Sequence, residues 1–391
     1  MNSQKTILYI SYDGLQEPLG QSQVYSYIKE LSKSYRIILL SFEKQQDSNY
    51  DHWKTILSQH HILWHPLPYH KTPSLLATAY DVFQGLRMAR SIKKKHKTSL
   101  THARSYVATF IAWLLFKQKK QPFIFDMRGF WADEKVEGGS WKPSSIIYKI
   151  TKWLERKFIS DSSKIISLTK TAKREIQKKF SIPPEKISVI PTCTDLKKFK
   201  PLNKKKPSPF LIGYVGATQL WYRFEPVAWF FKAFQKHHPD ALLKIFNKGE
   251  HEYIQKVLKK YQITHFSLQY SSHSKIAQNI QNLHLGVFFI YPSYSKKAST
   301  PTKLGEFLAC GVPCFTNSGV GDVDEILQDN KVGCVVKNME PSEIEKKIPD
   351  LLNLLKDPEL PQRCRKVAEE IFSLEKGVQK YKQVYRSLVG Q

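Results

Sequence analysis

A chain of 391 residues exceeds one ordinary hydrophobic core, so two domains are expected, and 41% hydrophobic residues with 22 Phe, 19 Tyr and 8 Trp exclude a wholly disordered protein. The five cysteines form no CxxC pair, which indicates a reducing compartment and argues against disulfides or a cysteine-held metal. The net charge is +27, of which residues 1–206 carry +21, and it points to an anionic partner: nucleic acid, an acidic lipid surface or a phosphorylated substrate. A merely solvated lysine-rich surface is the alternative.

The opening sequence, MNSQKTILYISYDG, runs into a strand pattern without a cleavable apolar segment. The longest apolar stretches, such as 107–116, are about ten residues long and fall short of the roughly 20 needed to cross a bilayer. We therefore expect a protein that is soluble or lies on one face of a membrane.

The N-terminal half alternates between strand and helix patterns. Residues 6–12 form a buried-strand pattern, and the loop DGLQEPLGQSQ separates it from a helical pattern and a strand at 35–43. This order predicts a βαβ unit that opens a parallel sheet. Helices are predicted at 74–92 and 144–159, and strands end at HARS, FIFDMRG, KIISLT and KISVIPT.

The segment LKKFKPLNKKKPSPF has no hydrophobic period and predicts a linker. The alternation restarts at FLIGYVGA and continues through PVAWFFKAFQKH, ALLKIFN, HLGVFFIYPS, TKLGEFLACG and VPCFTN. Two such halves predict an α/β protein of two Rossmann-like, doubly wound domains that face each other across a cleft. We predict an N-terminal domain at 1–204, a C-terminal domain at 205–365 and a final helix at 366–391 that packs back on the N-terminal domain.

Ligands of open α/β sheets bind at the carboxyl ends of the strands, so the loops that follow the strands are the candidate sites. Glycines in these loops let backbone amides approach an anion. Packing is an equally ordinary reason for a glycine in such a loop. The candidates are Gly14, Gly20, Gly213 and Gly216.

The segment 295–327 is the most informative one. Thr300 is a candidate N-cap, and Pro301 suits the first helical turn. Lys303 then falls in the first turn, and Glu306 lies three residues on, facing roughly the same way. A cation for phosphate and a carboxylate for a ribose diol are what a nucleotide diphosphate needs. An ordinary surface Lys/Glu pair is the alternative.

The stretch TPTKLGEFLACGVPCFTNSGVGDVDEIL resembles the C-terminal signature of the family-4 glycosyltransferases, which are retaining, metal-independent enzymes of the GT-B fold. The resemblance continues, in the family's order, in YDG…PLGQSQ, HARSY, FDMRGFW, VIPTCTDLKKFKP and YVGATQLWY. It implies a hexosyltransferase that moves a sugar from a nucleotide-sugar, UDP before GDP, to a lipid-linked or growing envelope polysaccharide such as lipopolysaccharide. It also implies retention of the anomeric configuration, and no cofactor besides the nucleotide-sugar as co-substrate.

By this resemblance, Glu306 matches the second carboxylate of the family's Glu, seven residues, Glu motif, which binds the donor's ribose. The first carboxylate falls on Ala298, so recognition of the sugar passes to other groups, such as the backbone amides from Ser299 to Thr302. The sequence departs from the family at this position.

The family also carries an Arg and a Lys for the diphosphate, and these fall on Ala217 and Arg223. Arg223 can still donate to a phosphate. The missing partner leaves more of the charge to Lys303 and to the loops at Gly216 and Gly20.

On the acceptor side the family often has a histidine after an N-domain strand, and His102 matches it, with Arg104 close behind. FDMRGFW adds Asp126 and Arg128, of which Asp126 could orient Arg128 or an incoming hydroxyl. The arginines suit an acceptor phosphate such as a polyprenyl diphosphate head. A packed core histidine is the alternative for His102. No general base is assigned, because the donor's leaving phosphate can take the acceptor proton.

Asp322-Val323-Asp324 is similar to the metal-binding Asp-x-Asp of the other glycosyltransferase fold. It follows SGVG and opens a helical pattern, where acidic side chains favour the positive end of the helix dipole. We interpret it as a helix start and predict no metal site.

The 144–159 helix combines an apolar stripe containing Trp153 with basic residues, and SIKKKHK and KQKK add further basic clusters. This pattern predicts that the N-domain attaches to an anionic membrane surface, giving a cytoplasmic protein at the inner face of the membrane. The basic residues of the helix are Lys149, Lys152, Arg156 and Lys157.

Three other functions remain open. A basic nucleic-acid-binding protein would fit the charge, but no RNP, zinc-finger or helix-turn-helix pattern accompanies it. A GT-B nucleotide-sugar epimerase would share Glu306 without needing a lipid surface. A non-catalytic relative would account for Ala298 and Ala217.

Overall fold

The computed structural model describes residues 4–44, 50–203, 206–271 and 275–390. The chain divides into two compact units: unit 1 holds residues 1–190 and 374–391, and unit 2 is Pro191–Ser373. The predicted boundary after residue 204 falls on residues 204 and 205, which lie outside the described ranges. The division comes earlier because the connector packs on unit 2, where the Thr194 amide donates to the Phe372 carbonyl at 2.7 Å.

Unit 1 is built on one seven-stranded sheet in which all strands are parallel, in the order β3-β2-β1-β4-β5-β6-β7. Its strands are β1 (Thr6–Ser11), β2 (Arg36–Glu43), β3 (Leu63–Pro68), β4 (Leu100–Arg104), β5 (Phe123–Asp126), β6 (Lys164–Ser167) and β7 (Ile187–Val189). Its helices up to the connector are α1 (Pro18–Gly20), α2 (Ser26–Leu31), α3 (Tyr50–Gln59), α4 (Ser74–His96), α5 (Ser105–Lys119), α6 (Trp131–Glu137), α7 (Ile146–Asp161) and α8 (Lys170–Phe180).

Unit 2 repeats this design on a six-stranded parallel sheet, in the order β10-β9-β8-β11-β12-β13. Its strands are β8 (Leu211–Val215), β9 (Leu242–Phe246), β10 (Phe266–Gln269), β11 (Leu285–Val287), β12 (Cys314–Asn317) and β13 (Gly333–Val336). Its helices are α9 (Glu225–Gln235), α10 (His251–Lys260), α11 (Ile276–Gln281), α12 (Thr302–Ala309), α13 (Val323–Asp329), α14 (Pro341–Leu355) and α15 (Leu360–Val367).

The last helix, α16 (Leu374–Val389), returns to unit 1. The chain passes a π-helical turn at Ala368–Phe372 and becomes extended at Ser373, which separates α16 from unit 2. On unit 1 the helix packs against α2, with the ring of Tyr381 edge-on to that of Tyr27 at 5.5 Å. The predicted segment 366–391 is therefore split at Ser373 between the two units.

In each sheet the strand order reverses once, between β1 and β4 in unit 1 and between β8 and β11 in unit 2. Helices leave in opposite directions on either side of such a switch point, which opens a crevice at the carboxyl edge of the sheet. The fold thus gives each unit one preferred place for a ligand. No helix in the described part of the chain is both long and apolar enough to cross a bilayer.

Candidate active site

A buried lysine lies at the switch point of unit 2. Lys303, in the first turn of α12, is 6% exposed, and its Nζ lies 3.8 Å from the ring centroid of Tyr222 and 4.9 Å from that of Tyr214. Among the described residues, no hydrogen-bond acceptor lies within reach of this Nζ. A buried ammonium without an acceptor is costly, so the position is suited to a ligand that supplies an anion.

Glu306 stands one turn further along α12 and is also buried. Burial raises the pKa of Glu306 to about 7, against the opposing charges of Lys303 and Lys198. Burial likewise lowers the pKa of Lys303 to about 7, against the charges of Glu306 and Glu250. The two predicted donor-binding residues are thus brought together, each poised to change charge near neutral pH.

The loop after β8 approaches the lysine closely. Gly216 has a φ of +103°, and a Cβ on it would stand 3.2 Å from Lys303 Nζ. The neighbouring loop after β9 fixes this backbone, since Asn247 Nδ2 donates to the Gly216 carbonyl at 3.0 Å and Glu250 Oε2 accepts from the Thr218 amide at 2.7 Å. Only a glycine leaves the space beside the ammonium open.

Asn247 and Glu250 were not predicted from the sequence. Their signal was present, because the stretch NKGE follows a buried strand and combines polar side chains with a glycine. Since β9 is the neighbour of β8, its carboxyl end had to lie beside the Gly216 loop.

Arg223 lies further out on the same edge and is exposed. Its amide donates to the Phe289 carbonyl at 3.0 Å, and its guanidinium carbon lies 4.9 Å from the ring centroid of Tyr291. Ala217 is exposed beside the Gly216 loop. The loops after β8 and β11 thus place Arg223 at the carboxyl edge of the unit 2 sheet, as predicted. Arg223 is exposed there, whereas Lys303 is buried.

The start of α12 differs by one residue from the prediction. The helix begins at Thr302, and Pro301, not Thr300, is the N-cap residue. Proline fits there for two reasons. Its ring fixes φ near the observed −63°, and a residue before the first helical turn does not need a backbone N–H to donate into the helix. Thr302 therefore opens the helix directly before Lys303. Ala298, where the resemblance places the first carboxylate, is 2% exposed in a 3₁₀ turn.

The site residues of unit 1 form a second buried cluster, at the ends of β4 and β5. Asp126 Oδ2 accepts from the Tyr381 hydroxyl at 2.8 Å and lies 3.3 Å from His102 Nε2. His102 Nδ1 lies 2.7 Å from the Tyr385 hydroxyl. Burial alone would raise the pKa of Asp126, but the charge of Arg128 and the hydrogen bond with His102 outweigh it and lower the pKa.

This network determines the tautomer of His102. The ionised Asp126 can only accept, so Nε2 carries the proton and Nδ1 accepts from the Tyr385 hydroxyl. Burial lowers the pKa of His102, which keeps the ring neutral. His102 is 0% exposed with both nitrogens engaged, and this favours the alternative of a packed, satisfied histidine. Tyr381 and Tyr385, contributed by α16, were not found from the sequence because they lie more than 250 positions from their partners.

Two arginines complete the edge of unit 1. Arg128 Nη1 lies 3.8 Å from Asp126 Oδ1, and its backbone has a φ of +57°, a left-handed conformation that costs free energy for a residue with a Cβ. Arg104, at the end of β4, is 3% exposed and pairs with Asp13 from the loop after β1. Arg104 therefore lies at the switch point itself.

Two of the candidate glycines have packing roles. A Cβ on Gly20 would lie 2.0 Å from the Gly14 carbonyl oxygen, so Gly20, the last residue of α1, permits close contact with the loop after β1. Gly213 lies inside β8, and a Cβ there would meet the side chain of Leu283 at 2.1 Å. The predicted anion-approach role of Gly213 is therefore wrong, because its backbone is paired within the sheet and its space is filled.

The basic helix α7 differs from the prediction in two respects. Lys152 does not face outward, because its Nζ pairs with Asp133 at 2.8 Å and with Glu155. Lys149, Arg156 and Lys157 are exposed. The predicted single apolar stripe is also divided: Phe158 is buried in the core, whereas Trp153 is 51% exposed.

Asp322 is the N-cap residue of α13, and Asp324 lies in its first turn. Asp324 Oδ2 accepts from the Ser318 hydroxyl and the Gly319 amide, each at 3.2 Å. These bonds join the aspartate to its own loop. Within the described ranges, no three His, Cys, Asp or Glu side chains are grouped so that they could hold a metal ion.

Substituting Tyr381→Phe is expected to lower the free energy of unfolding by about 1–3 kcal/mol, because it leaves the buried, ionised Asp126 short of a donor. Urea unfolding followed by circular dichroism measures the loss. Tyr80→Phe is the matched control, since Tyr80 is 49% exposed and water can replace its hydroxyl contacts. Equal losses in the two variants would contradict the role given to Tyr381.

Many solved structures are similar to this chain and share the GT-B fold. Sucrose-phosphate synthase from Thermosynechococcus elongatus has a TM-score of 0.76 at 14% identity, covering 98% of this chain and 99% of that one. Anabaena HepE in complex with UDP and glucose has a TM-score of 0.70 at 15% identity, covering 98% and 100%. The lipopolysaccharide outer core galactosyltransferase WaaB has a TM-score of 0.67 at 13% identity, covering 98% and 99%.

The fold defines a GT-B protein of two Rossmann-like domains, as predicted. Glycosyltransferase Family 4 matches residues 20–198, and Glycosyl transferases group 1 matches residues 195–371. Together these matches indicate that the chain is a glycosyltransferase of the GT-B, family 4 and group 1 type. No curated protein matches its sequence.

Proposed function

We propose that the protein is a retaining hexosyltransferase that uses a nucleotide-sugar, UDP before GDP, and that unit 2 binds this donor. The observation that carries the proposal is the buried ammonium of Lys303, which has no hydrogen-bond acceptor among the described residues. It lies near Glu306, and the absence of a side chain on Gly216 leaves space beside it. Lys303 would meet the diphosphate and Glu306 the ribose. HepE, a structural neighbour, was solved with UDP and with UDP-glucose, which supports the choice of base.

The chemistry follows from these groups. The acceptor hydroxyl oxygen bonds to the anomeric carbon while the bond from that carbon to the diphosphate oxygen breaks. The leaving diphosphate is stabilised by Lys303 and Arg223 and takes the proton of the hydroxyl, so no separate base is required. Fixed cations placed where charge develops lower the barrier most effectively in a site that excludes water. We propose that these two side chains serve without a metal ion.

Unit 1 would present the acceptor. Arg104 and Arg128 at the carboxyl edge of its sheet suit the phosphates of a lipid-linked acceptor, and Asp126 holds Arg128 in place. We further propose that the acceptor belongs to an envelope polysaccharide and that the protein works at the inner face of a membrane, where such an acceptor is anchored. The basic surface of unit 1 supports this location.

The proposed reaction is tested by incubating the protein with UDP-sugars and GDP-sugars, a lipid-linked oligosaccharide pool and EDTA. We expect release of one nucleotide only when the acceptor is present, and NMR of the product should show the anomeric configuration of the donor. Conversion of the sugar nucleotide without an acceptor would instead indicate an epimerase. Inversion of configuration would overturn the retaining mechanism.

Gly216→Ala is expected to weaken UDP binding by about tenfold or more. The new Cβ would be strained at a φ of +103° and would stand 3.2 Å from Lys303 Nζ, where the phosphate is proposed to bind. Isothermal titration calorimetry measures the loss. Gly249→Ala is the matched control, since it lies on the neighbouring loop and a Cβ there meets nothing within 4 Å. Equal affinities for the two variants would contradict the placement of the diphosphate.

A further inference from the structure

Unit 1 exposes two rows of large apolar side chains. On α4, Leu76, Tyr80 and Phe83 are 71%, 49% and 60% exposed, and Leu75 beside them is 64% exposed. On α7, the row contains Ile146, Ile150 and Trp153, which are 75%, 52% and 51% exposed. Both rows follow the i, i+4, i+7 spacing of one helix face. Concentrated apolar exposure of this kind marks an interaction surface.

The two rows belong to one layer of helices. Helix α5 lies between them and is joined to both. Arg90 Nε of α4 donates to Gln118 Oε1 of α5 at 2.8 Å, and Trp113 Nε1 of α5 donates to Asp161 Oδ2 of α7 at 2.7 Å. The rings of Trp113 and Trp153 are 6.3 Å apart. Helices α4, α5 and α7 therefore cover the same side of the sheet.

Both rows also lie towards the edge that carries the site residues. Helix α4 follows β3 and α7 follows β5, and in a parallel sheet such helices run back from the carboxyl edge. The exposed side chains stand in the first half of each helix, up to Phe83 and Trp153. The apolar surface is thus at the end of unit 1 where Arg104 and Arg128 lie.

The exposed charged side chains of α4 and α7 are all positive. Arg87 on α4 and Lys149, Arg156 and Lys157 on α7 are exposed. The acidic side chains of these three helices are turned inward or paired: Asp81 and Glu155 are buried, and Asp161 binds Lys117 at 2.7 Å. Apolar side chains with Trp and Tyr among them, flanked by cations, complement the interface of a bilayer that carries anionic headgroups.

We propose that the exposed side chains of α4 and α7 insert into an anionic bilayer, which brings the carboxyl edge of the unit 1 sheet to the lipid surface. The proposal rests on the proposed function, because the surface of α4 and α7 would be the side of unit 1 that meets a lipid-linked acceptor in the membrane. The sequence predicted attachment through α7 and the basic clusters SIKKKHK and KQKK, without the apolar row of α4. Helix α4 supplies four of the seven inserting side chains.

Flotation with vesicles tests the insertion. We expect the full chain to float with phosphatidylcholine vesicles that contain phosphatidylglycerol and to bind pure phosphatidylcholine more weakly. Phe83→Gln and Trp153→Gln should each weaken binding about tenfold, because each removes one large inserted side chain. Tyr270→Gln is the control: Tyr270 is 62% exposed on unit 2 and should have no effect. Because all three positions are exposed, circular dichroism should show unchanged folding.

Three results would overturn the proposal. One is binding that survives both glutamine substitutions and is lost in high salt, which would mean attachment by charge alone. Another is a dimer in light scattering that the same substitutions dissociate, which would assign the face to a second copy of this chain. The third is the absence of flotation. UDP binding should be measured on the same variants and should be unchanged in all of them. If UDP binds but the protein does not insert into vesicles, the insertion fails while the proposed donor site stands.

Discussion

Replacing Glu306 with glutamine is expected to weaken UDP binding about tenfold to a hundredfold and to reduce sugar transfer at least as much. A carboxylate accepts two hydrogen bonds from a ribose diol, and charge-assisted bonds of this kind are the strong ones. Isothermal titration calorimetry and nucleotide release measure the two losses. Glu252→Gln is the matched control, because Glu252 is exposed on α10 of the same unit.

The stability of the Glu306→Gln variant gives a second expectation. Glu306 is buried, and burial raises its pKa to about 7, so its charge is unfavourable in the free protein. The variant should therefore melt no lower than the parent protein while losing its ligand. A variant that melts lower yet binds UDP with unchanged affinity would contradict both the burial argument and the ribose-binding role.

The affinity for UDP is expected to fall as the pH rises above about 7, by at most tenfold per pH unit. Burial lowers the pKa of Lys303 to about 7, so the free protein loses this charge above that pH. A bound diphosphate favours the ammonium form, and binding must then take up a proton. Calorimetry in two buffers of different ionisation enthalpy, at about pH 8, measures this uptake directly.

The stability of the free protein should change in the opposite direction. Unfolded Lys303 holds its proton up to its ordinary pKa of 10.5, whereas the folded side chain releases it at about 7. Between these values the unfolded state binds more protons, so the contribution of Lys303 to stability rises with pH. Lys303→Met should remove both dependences. An affinity for UDP that does not change above neutral pH in the parent protein would contradict the contact between Lys303 and phosphate.

Local patterns predicted the elements that carry the site, and the misses have physical reasons. The helices expected at 74–92 and 144–159 are α4 and α7, because their apolar spacing is long and regular. Strand β3 was missed because Pro66 and Pro68 interrupt it, and prolines are tolerated there only because β3 is an edge strand. The HLGVFFIYPS strand is shorter than expected, since only Leu285–Val287 pairs in the sheet.

The candidate site could be predicted only where its residues are neighbours in sequence. Lys303 and Glu306 share one helix, so their spacing sufficed to bring them together. The buried network of unit 1 joins Asp126 to Tyr381, and no local pattern links residues so far apart. The same limit applies to Lys152, whose pairing with Asp133 depends on how α6 meets α7 and not on the periodicity of either helix.

A thermal-shift screen tests the central claim, that unit 2 is a nucleotide-sugar site, most directly. The protein would be heated with UDP, GDP, ADP and their common sugar conjugates, with EDTA present, and separately with short DNA and RNA. Ligands that bind the native state raise the melting temperature by mass action. We predict a clear rise with one nucleotide class, UDP first, that Glu306→Ala abolishes. No rise with any nucleotide, together with a rise on adding DNA or RNA, would contradict the account and make the basic surface a nucleic-acid site.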